Sequence, residues 1–387
     1  MADVEIGVGR VARRGWRLDE IAISPSRRTR DPADVDVSWQ LDAFRFALPL
    51  VAAPRDGIVS PATAAAVDAA GGLAVLDLEG LWTRYADPGP ILEEIARLEL
   101  DGLTRRLQEV YAEPVQSGLV ASRVAEIAAA GAVACGAVTP AAAAELVPAA
   151  VDGGLDILVI AGTTISAEHV SESAVPLDLG GFIRTLDLPV IVGWCSSYQA
   201  ALHLMRTGAV GVLVGCGPGE SAAPTRRVLG MAAPMATAIA DVAGARSRHL
   251  EETGVYVHVV AEGPLHCGGD VATAIACGAD AVMLSAPLAA ASEAPGGGIW
   301  FTPAAGHGEL PRGTVERSPV LGTLAEVLTG PSHDPQGRCN IFGALRASMA
   351  MAGYASIREF HRAALLVAPD GLAPQALRSW RRAEPEG

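Results

Sequence analysis

Short apolar runs, each followed by an alanine-rich stretch of helical periodicity, recur along most of the chain. Because these runs are apolar on both faces, they are typical of strands that helices cover. The pattern predicts eight strands, numbered here in chain order, at residues 48–52, 73–77, 132–138, 155–161, 189–194, 210–216, 256–262 and 281–285. It predicts helices among them at residues 60–70, 91–108, 122–130, 141–151, 198–206, 225–245 and 270–277.

The repetition of these units predicts an α/β fold of the (β/α)8 barrel (TIM barrel) type. Several strands begin with related phrases, namely GGLAV, GGLDILVI, TGAVGVLV and CGADAVML. Eight such units favour a closed parallel barrel, because an open sheet of eight strands more often shows unequal linkers and edge strands. A doubly wound open sheet is the structural alternative. We expect a single domain over residues 1–387, with an N-terminal extension over about residues 1–45 and a flap region and C-terminal extension over about residues 288–387.

Composition and charge exclude several classes of function. The 387 residues are 50% hydrophobic, which excludes a disordered or fibrous protein. The formal net charge of -14 argues against binding to nucleic acid or to an anionic membrane surface. All 29 basic residues are arginine, which excludes a lysine Schiff base and the lysine of a P-loop.

Cysteine usage and the N-terminal pattern indicate a reduced, cytoplasmic protein. The six cysteines form no CxxC pair, so neither a disulfide framework nor a zinc knuckle is expected. No H-E-x-x-H motif is present, and no metal site is expected. No uninterrupted apolar run reaches the ~18 residues of a membrane span. Asp3 and Glu5 precede any apolar block, unlike a secretory signal.

The loops after the sixth, seventh and eighth strands carry residues suited to a phosphorylated ligand. Barrels hold their chemistry at the carboxyl ends of the strands and often bind phosphate with the last two loops. Glycines let backbone N–H groups approach an anion, and a helix start adds a favourable dipole. Glu262, at the end of the seventh strand, is positioned to accept hydrogen bonds from a ribose diol. The predicted ligand-binding residues are Gly217, Gly219, Ser221, Glu262, Gly263, Gly268 and Ser285.

Two cysteines on these loops are candidate nucleophiles. Cys216 follows the sixth strand and Cys267 follows the seventh. A thiolate can attack an electrophilic carbon, although buried and inert cysteine is the commoner case. His266 lies beside Cys267, but neighbours at a strand end point apart.

At these loops the chain resembles the IMP dehydrogenase/GMP reductase family. The segments that carry the resemblance include SPSRRTR, LVIAGTTISAEHVS, LPVIVGWCSSYQAALHLMRTGAVGVLVG, PMATAIADVAGAR, GGDVATAIACGADAVML and FGALRASMAMAGY. Within the family the chain is most similar to the bacterial paralogue that lacks the regulatory CBS pair, since only the predicted helix at residues 91–108 and its flanks stand between the second and third strands. The resemblance implies a purine nucleotide substrate, NAD or NADP as cofactor, and a homotetramer or homo-octamer.

The resemblance also exposes departures at the site. The family's nucleophilic cysteine in the loop after the sixth strand matches Ala223, which cannot attack. The aspartate after the fourth strand that holds the nicotinamide matches Ala161, and the asparagine after the fifth strand matches Trp194. We assign catalysis to Cys216 as a substitute, with Thr225 and Glu316, the latter in the nearest charged pair of the flap region. We assign cofactor binding to Gly162, Thr163 and Trp194.

Other departures lie in the nucleotide-binding loops. The family's ribose-binding aspartate becomes Glu262, which is one methylene longer, and the second glycine after it becomes Pro264, which has no N–H for a phosphate. The Gly-Ser phosphate pair after the eighth strand becomes Ser285 and Ala286.

Three functional hypotheses follow from these residues. The first is an NAD(P)-dependent oxidoreductase acting on a purine nucleotide through Cys216. The second is another reaction on a purine-like nucleotide of secondary metabolism, without a covalent intermediate. The third is a nucleotide-binding paralogue without turnover. Fold-level analogy favours the first, and the loss of the matched cysteine and aspartate argues for the other two.

Overall fold

Eight parallel strands close into a barrel in the computed structural model, which describes residues 3–98, 100–162, 165–172, 175–215, 226, 228–302, 312, 314–332 and 334–368. The barrel strands are Leu50–Ala52, Leu73–Asp77, Cys135–Val138, Ile157–Ala161, Val190–Cys195, Gly211–Val214, His258–Glu262 and Ala281–Leu284. All eight predicted strands are therefore confirmed, mostly with later starts. Because the eighth strand pairs with the first, with Leu284 opposite Ala52, the alternative of an open doubly wound sheet is wrong.

The strands are apolar along most of their length because both of their faces are buried. Val51, Val159 and Val260 belong to a cluster that fills the inside of the barrel. Their chain neighbours Leu50 and Leu158 point the other way and join the larger cluster shared with the surrounding helices. Successive side chains of a strand therefore point alternately into the barrel and toward the helices. Because both of these layers are apolar, the strand is a continuous apolar run.

A short hairpin closes the amino-terminal end of the barrel. Its strands are Trp39–Leu41 and Phe44–Phe46. Leu41 and Phe46 are buried in the inner cluster, and the Trp39 ring meets the ring of His258, the first residue of the seventh strand. The opposite, carboxyl-terminal end is the one at which barrel enzymes carry their chemistry.

Two helices stand between the second strand and the helix Ser117–Ala129, where the sequence predicted one. They are Gly89–Arg97 and Leu100–Ala112, and the single helix predicted at residues 91–108 is corrected, because Leu98 has extended backbone that ends the first of them. Both helices pack on a hairpin formed by Ile299–Thr302 and Thr314–Arg317. Among the described residues, no CBS domain stands between the second and third strands.

The remaining elements surround the barrel. The N-terminal and C-terminal extensions pair with each other, since Ile21–Ile23 forms an antiparallel pair with Leu365–Val367. Within the N-terminal extension, Asp3–Gly7 pairs with Arg10–Arg13. Among the residues described, no helix is both long and apolar enough to cross a bilayer. The other α-helices are Pro61–Ala69, Ser117–Ala129, Ala143–Asp152, Leu179–Ile183, Tyr198–Met205, Met235–Thr253, Gly268–Ala276, Ala286–Ala289, Leu324–Leu328, Ile341–Met351 and Ile357–Phe360.

Candidate functional site

Three side chains from separate strand ends meet at the carboxyl-terminal end of the barrel. Glu262, the last residue of the seventh strand, accepts a hydrogen bond on Oε1 from Arg55 Nη2 at 2.7 Å. Its Oε2 accepts a hydrogen bond from the indole Nε1 of Trp194, in the fifth strand. The structure thus brings together Glu262 and Trp194, both predicted as site residues. Arg55 follows the first strand and was not assigned a role from the sequence.

The Arg55–Glu262 ion pair is buried. The two side chains are 3% and 1% exposed. A carboxylate at such depth needs a cation and hydrogen-bond donors, because the cost of removing its charge from water is several kcal/mol. Arg55 is held from its other side as well, since its Nη1 donates to the carbonyl of Pro54 at 3.0 Å. The geometry fixes both the guanidinium and the carboxylate.

Ser285 lies beside this pair in the order of the barrel. It directly follows the eighth strand, which pairs with the seventh and the first, and the residue is 1% exposed. Its hydroxyl is buried and has no hydrogen-bond partner in the described part of the chain. Such a group is uncommon in a folded protein and costs about 1–3 kcal/mol. Ligand binding by this hydroxyl stays a prediction.

The described glycines of the predicted site differ in what they offer. A Cβ on Gly263 would meet the side chain of Met235 at 3.1 Å. A Cβ on Gly268 would collide with Ala344 at 2.4 Å, so close helix packing already demands glycine there. The N–H of Gly268 donates to Gly337 at 2.9 Å, and the N–H of Gly162 donates to the carbonyl of Gly193 at 3.1 Å. These two N–H groups are already engaged.

Several predicted site residues cannot be placed. They lie outside the described residues and stay predictions: Thr163, Cys216, Gly217, Gly219, Ser221 and Thr225. Glu316 is described and is half-buried. It lies opposite Trp300 in the flap-region hairpin, next to Arg317, which donates to the carbonyls of Ala96 and Leu98.

A second buried polar cluster lies at the ends of the first and second strands. Asp56 accepts hydrogen bonds from the N–H of Leu81 at 2.7 Å and from the hydroxyl of Tyr111. Arg312 contacts Asp77 at 2.6 Å and Asp56 at 3.7 Å. Asp77 ends the predicted second strand and Asp56 follows the predicted first strand, but the sequence gives no sign that Tyr111 and Arg312, from distant segments, would join them.

Burial dominates the electrostatics of this cluster. It raises the pKa of Asp56 to about 6, with a further contribution from the nearby Asp77 carboxylate, while Arg312 and the Tyr111 hydroxyl act in the opposite direction. Burial and Asp77 also raise the pKa of Glu79, whose carboxylate accepts hydrogen bonds from the N–H and hydroxyl of Thr139 at the end of the third strand. The cluster therefore holds closely spaced carboxyl groups with a single described arginine between them.

Three of the described cysteines are weak nucleophiles because burial raises the pKa of their thiols. Burial, followed by the charge of Asp270, raises the pKa of Cys267 to about 11. Burial raises the pKa of Cys277 to about 12 and that of Cys135 still further. These thiols are protonated at neutral pH, so Cys267 is a poor nucleophile. Within the described ranges no group of three or more His, Cys, Asp or Glu side chains could hold a metal ion.

Comparisons with known proteins agree with this architecture. Residues 15–307 match the model of the IMP dehydrogenase / GMP reductase domain. The chain is 48% identical to an uncharacterized oxidoreductase of Mycolicibacterium smegmatis over 374 residues, covering 94% of this chain and 99% of that protein. It is 32% identical to inosine-5'-monophosphate dehydrogenase of Methanocaldococcus jannaschii over 221 residues, covering 48% of this chain and 41% of that enzyme.

A solved structure shows the same fold. The crystal structure of an IMP dehydrogenase/GMP reductase-like protein from Corynebacterium glutamicum superposes with a TM-score of 0.89 at 44% sequence identity. The match covers 94% of this chain and 97% of that chain.

Proposed function

Because this chain belongs to the IMP dehydrogenase/GMP reductase family, we propose that it is an NAD(P)-dependent oxidoreductase acting on a purine nucleotide. The observation that carries the proposal is the pair formed by Glu262 and Ser285 on adjacent strand ends. One offers a fixed buried carboxylate and the other a buried hydroxyl with no partner among the described residues. Together they match what a sugar phosphate requires.

The carboxylate of Glu262 supports ribose binding. Its two oxygens can accept about four hydrogen bonds in all, and Arg55 and Trp194 fix their direction. The Ser285 hydroxyl can donate to a phosphate oxygen. In this arrangement the sugar phosphate lies across the seventh and eighth strand ends and extends its base over the barrel mouth.

The indole of Trp194 is the described group that fits a nicotinamide cofactor. It is half-buried, and its Nε1 donates to Glu262, which fixes the orientation of the ring. A flat aromatic face of this kind can stack on a planar heterocycle. The cofactor, when bound, supplies hydride acceptance or donation, and the residues of the chain bind and orient the two reactants.

A second candidate function is nucleotide binding, or a different reaction, without a covalent thioimidate. Ala223 at the position of the family's nucleophile favours it, and so does the protonated state of the Cys267 thiol. This candidate keeps the sugar-phosphate site and predicts binding without oxidation or reduction of the nucleotide.

Absorbance of the reduced nicotinamide tests the two candidates. We expect IMP with NAD or NADP to increase the absorbance, or GMP with NADH or NADPH to decrease it. Cys216→Ala should abolish the change, and Cys277→Ala, which alters a thiol of raised pKa after the helix Gly268–Ala276, should not. Normal turnover in Cys216→Ala would exclude Cys216 as the nucleophile. Nucleotide binding with no absorbance change under any pairing would favour the second candidate.

A further inference from the structure

Arg55 has a buried donor that the protein itself does not satisfy. Its Nη1 and Nη2 donate to Pro54 and Glu262, but its Nε is buried and has no hydrogen-bond partner among the described residues. A guanidinium can only donate hydrogen bonds and stays charged at any physiological pH. The missing partner must therefore be an acceptor, and a negatively charged one gains most.

Arg55 and Ser285 are neighbours in the barrel. Ala52 lies opposite Leu284 in the register of the first and eighth strands, and the N–H of Ala53 donates to the carbonyl of Leu284 at 3.0 Å. Ser285 follows Leu284 directly, and Arg55 follows Ala53 by two residues. Two unsatisfied buried polar groups thus stand at adjacent strand ends, and one acceptor-rich group of a ligand could serve both.

Two described positions after the seventh strand have no free backbone donor for such a group. Pro264, in the loop after the seventh strand, has no N–H. The N–H of Gly268, at the start of the following helix, is used by Gly337. A guanidinium compensates for missing backbone donors, because its planar arrangement of N–H groups suits phosphate oxygens.

We propose that Arg55 is a specificity-determining residue that binds the phosphate of the nucleotide together with Ser285, while Glu262, itself held by Trp194, positions its guanidinium. This inference rests on the proposed nucleotide site. The ribose and its 5′-phosphate are covalently joined, so a residue that touches both the ribose-binding carboxylate and the phosphate fits the ligand. Arg55 is then the reason that the site prefers a nucleotide to the corresponding nucleoside.

Calorimetric titrations with IMP and inosine, and with GMP and guanosine, test this role. The informative quantity is the ratio of the nucleoside Kd to the nucleotide Kd, which reports the contribution of the phosphate. Arg55→Gln alone leaves Glu262 buried without its cation, which threatens folding. The matched pair is therefore Glu262→Gln, which keeps Arg55, and the double variant Arg55→Gln with Glu262→Gln, which is neutral at both positions. Thermal unfolding of each variant checks that it is folded.

The two variants have different expected outcomes. In Glu262→Gln the ratio should stay at the wild-type value or rise, because the Gln amide oxygen can still accept the hydrogen bond from Arg55 while Arg55 no longer shares its charge with a carboxylate. In the double variant the ratio should fall at least about tenfold, as expected for a lost charge-assisted hydrogen bond. Equal ratios in the two folded variants would overturn the role of Arg55. If the wild-type protein binds neither nucleotides nor nucleosides, the proposed function itself fails.

Discussion

The hydroxyl of Tyr111 donates a hydrogen bond to Oδ2 of Asp56, which ties the helix Leu100–Ala112 to the end of the first barrel strand. Tyr111 is also buried in an apolar cluster. The helices Gly89–Arg97 and Leu100–Ala112 share this cluster with the hairpin formed by Ile299–Thr302 and Thr314–Arg317. The insertion between the second and third strands is therefore part of the rim of the barrel mouth. The contact between Tyr111 and Asp56 should affect the free energy of unfolding, and the buried Asp56 should affect how that free energy depends on pH.

Tyr111→Phe should destabilise the protein by about 1–3 kcal/mol, because it leaves a buried carboxyl oxygen without its donor. Urea unfolding measures this change. Tyr85→Phe is a matched control in the same region, since the Tyr85 hydroxyl donates to the neutral carbonyl of Val110 at 2.8 Å. Its cost should be smaller, about 0.5–1.5 kcal/mol. A larger loss in Tyr85→Phe than in Tyr111→Phe would contradict this account of the cluster.

Asp56 should make stability decrease as the pH rises. Burial, with the charge of Asp77, raises its pKa in the folded state to about 6, above the unfolded value of about 3.9. Between these two values the folded state binds more protons than the unfolded state, so ionisation of Asp56 removes stability as the pH increases. Relative to Asp56→Asn, the wild-type free energy of unfolding should fall by roughly 1–3 kcal/mol between pH 4 and pH 7.

Denaturant unfolding of the two proteins across this pH range supplies the measurement. Subtraction of the Asp56→Asn values removes the titration of the groups that do not interact with Asp56. The difference should level off above pH 7, where Asp56 is ionised in both states. A difference that is flat or rises with pH would show that the pKa of the Asp56 carboxyl is not raised in the folded state.

The buried polar network at the amino-terminal end of the barrel should matter for stability and not for nucleotide binding. Asp280 accepts hydrogen bonds from Arg246 at 2.8 Å, from the Tyr256 hydroxyl at 2.6 Å and from the N–H of Val259 at 2.8 Å. Asp280→Ala leaves a buried cation without its partner and should cost about 3–5 kcal/mol. Unfolding by urea measures the loss of unfolding free energy. The Kd for the nucleotide, measured at a low temperature at which the variant stays folded, should stay within about twofold of the wild-type value.

A more exposed ion pair provides the comparison for Asp280. Asp241 pairs with Arg13 at 2.6 Å, and their side chains are 19% and 43% exposed. Asp241→Ala should cost no more than about 1 kcal/mol, since water already solvates both charges in part. Equal losses of unfolding free energy in Asp280→Ala and Asp241→Ala would mean that burial does not determine how much these ion pairs stabilise the protein.

The sequence predicted the barrel well because the relevant signal is local. Each strand is an apolar run with both faces buried, and that pattern needs no knowledge of distant residues. The Arg55–Glu262 pair joins residues 207 positions apart, and nothing near Arg55 in the chain indicates its partner. The break between the inserted helices was also invisible, because apolar residues such as Leu98 continue the helical pattern across it.

The sequence could place polar residues at one end of the barrel where residue type and strand end coincide, while their roles in binding stay predictions. Glu262, Trp194 and Ser285 all stand at strand ends or directly after them, so the barrel rule brought them to one face. Gly268 shows the limit of this reasoning. Glycine there is required by the approach of Ala344, a contact between helices that are far apart in the chain.

The affinity of Ser285→Ala for IMP or GMP, measured by calorimetry together with its stability, tests the central claim most directly. The hydroxyl is buried and has no partner in the residues that the structure describes, so its removal should leave the free protein as stable as before or stabilise it by about 1 kcal/mol. If a sugar phosphate binds across the seventh and eighth strand ends, the same change should weaken nucleotide binding about tenfold. Unchanged nucleotide affinity in a folded Ser285→Ala protein would contradict the claim.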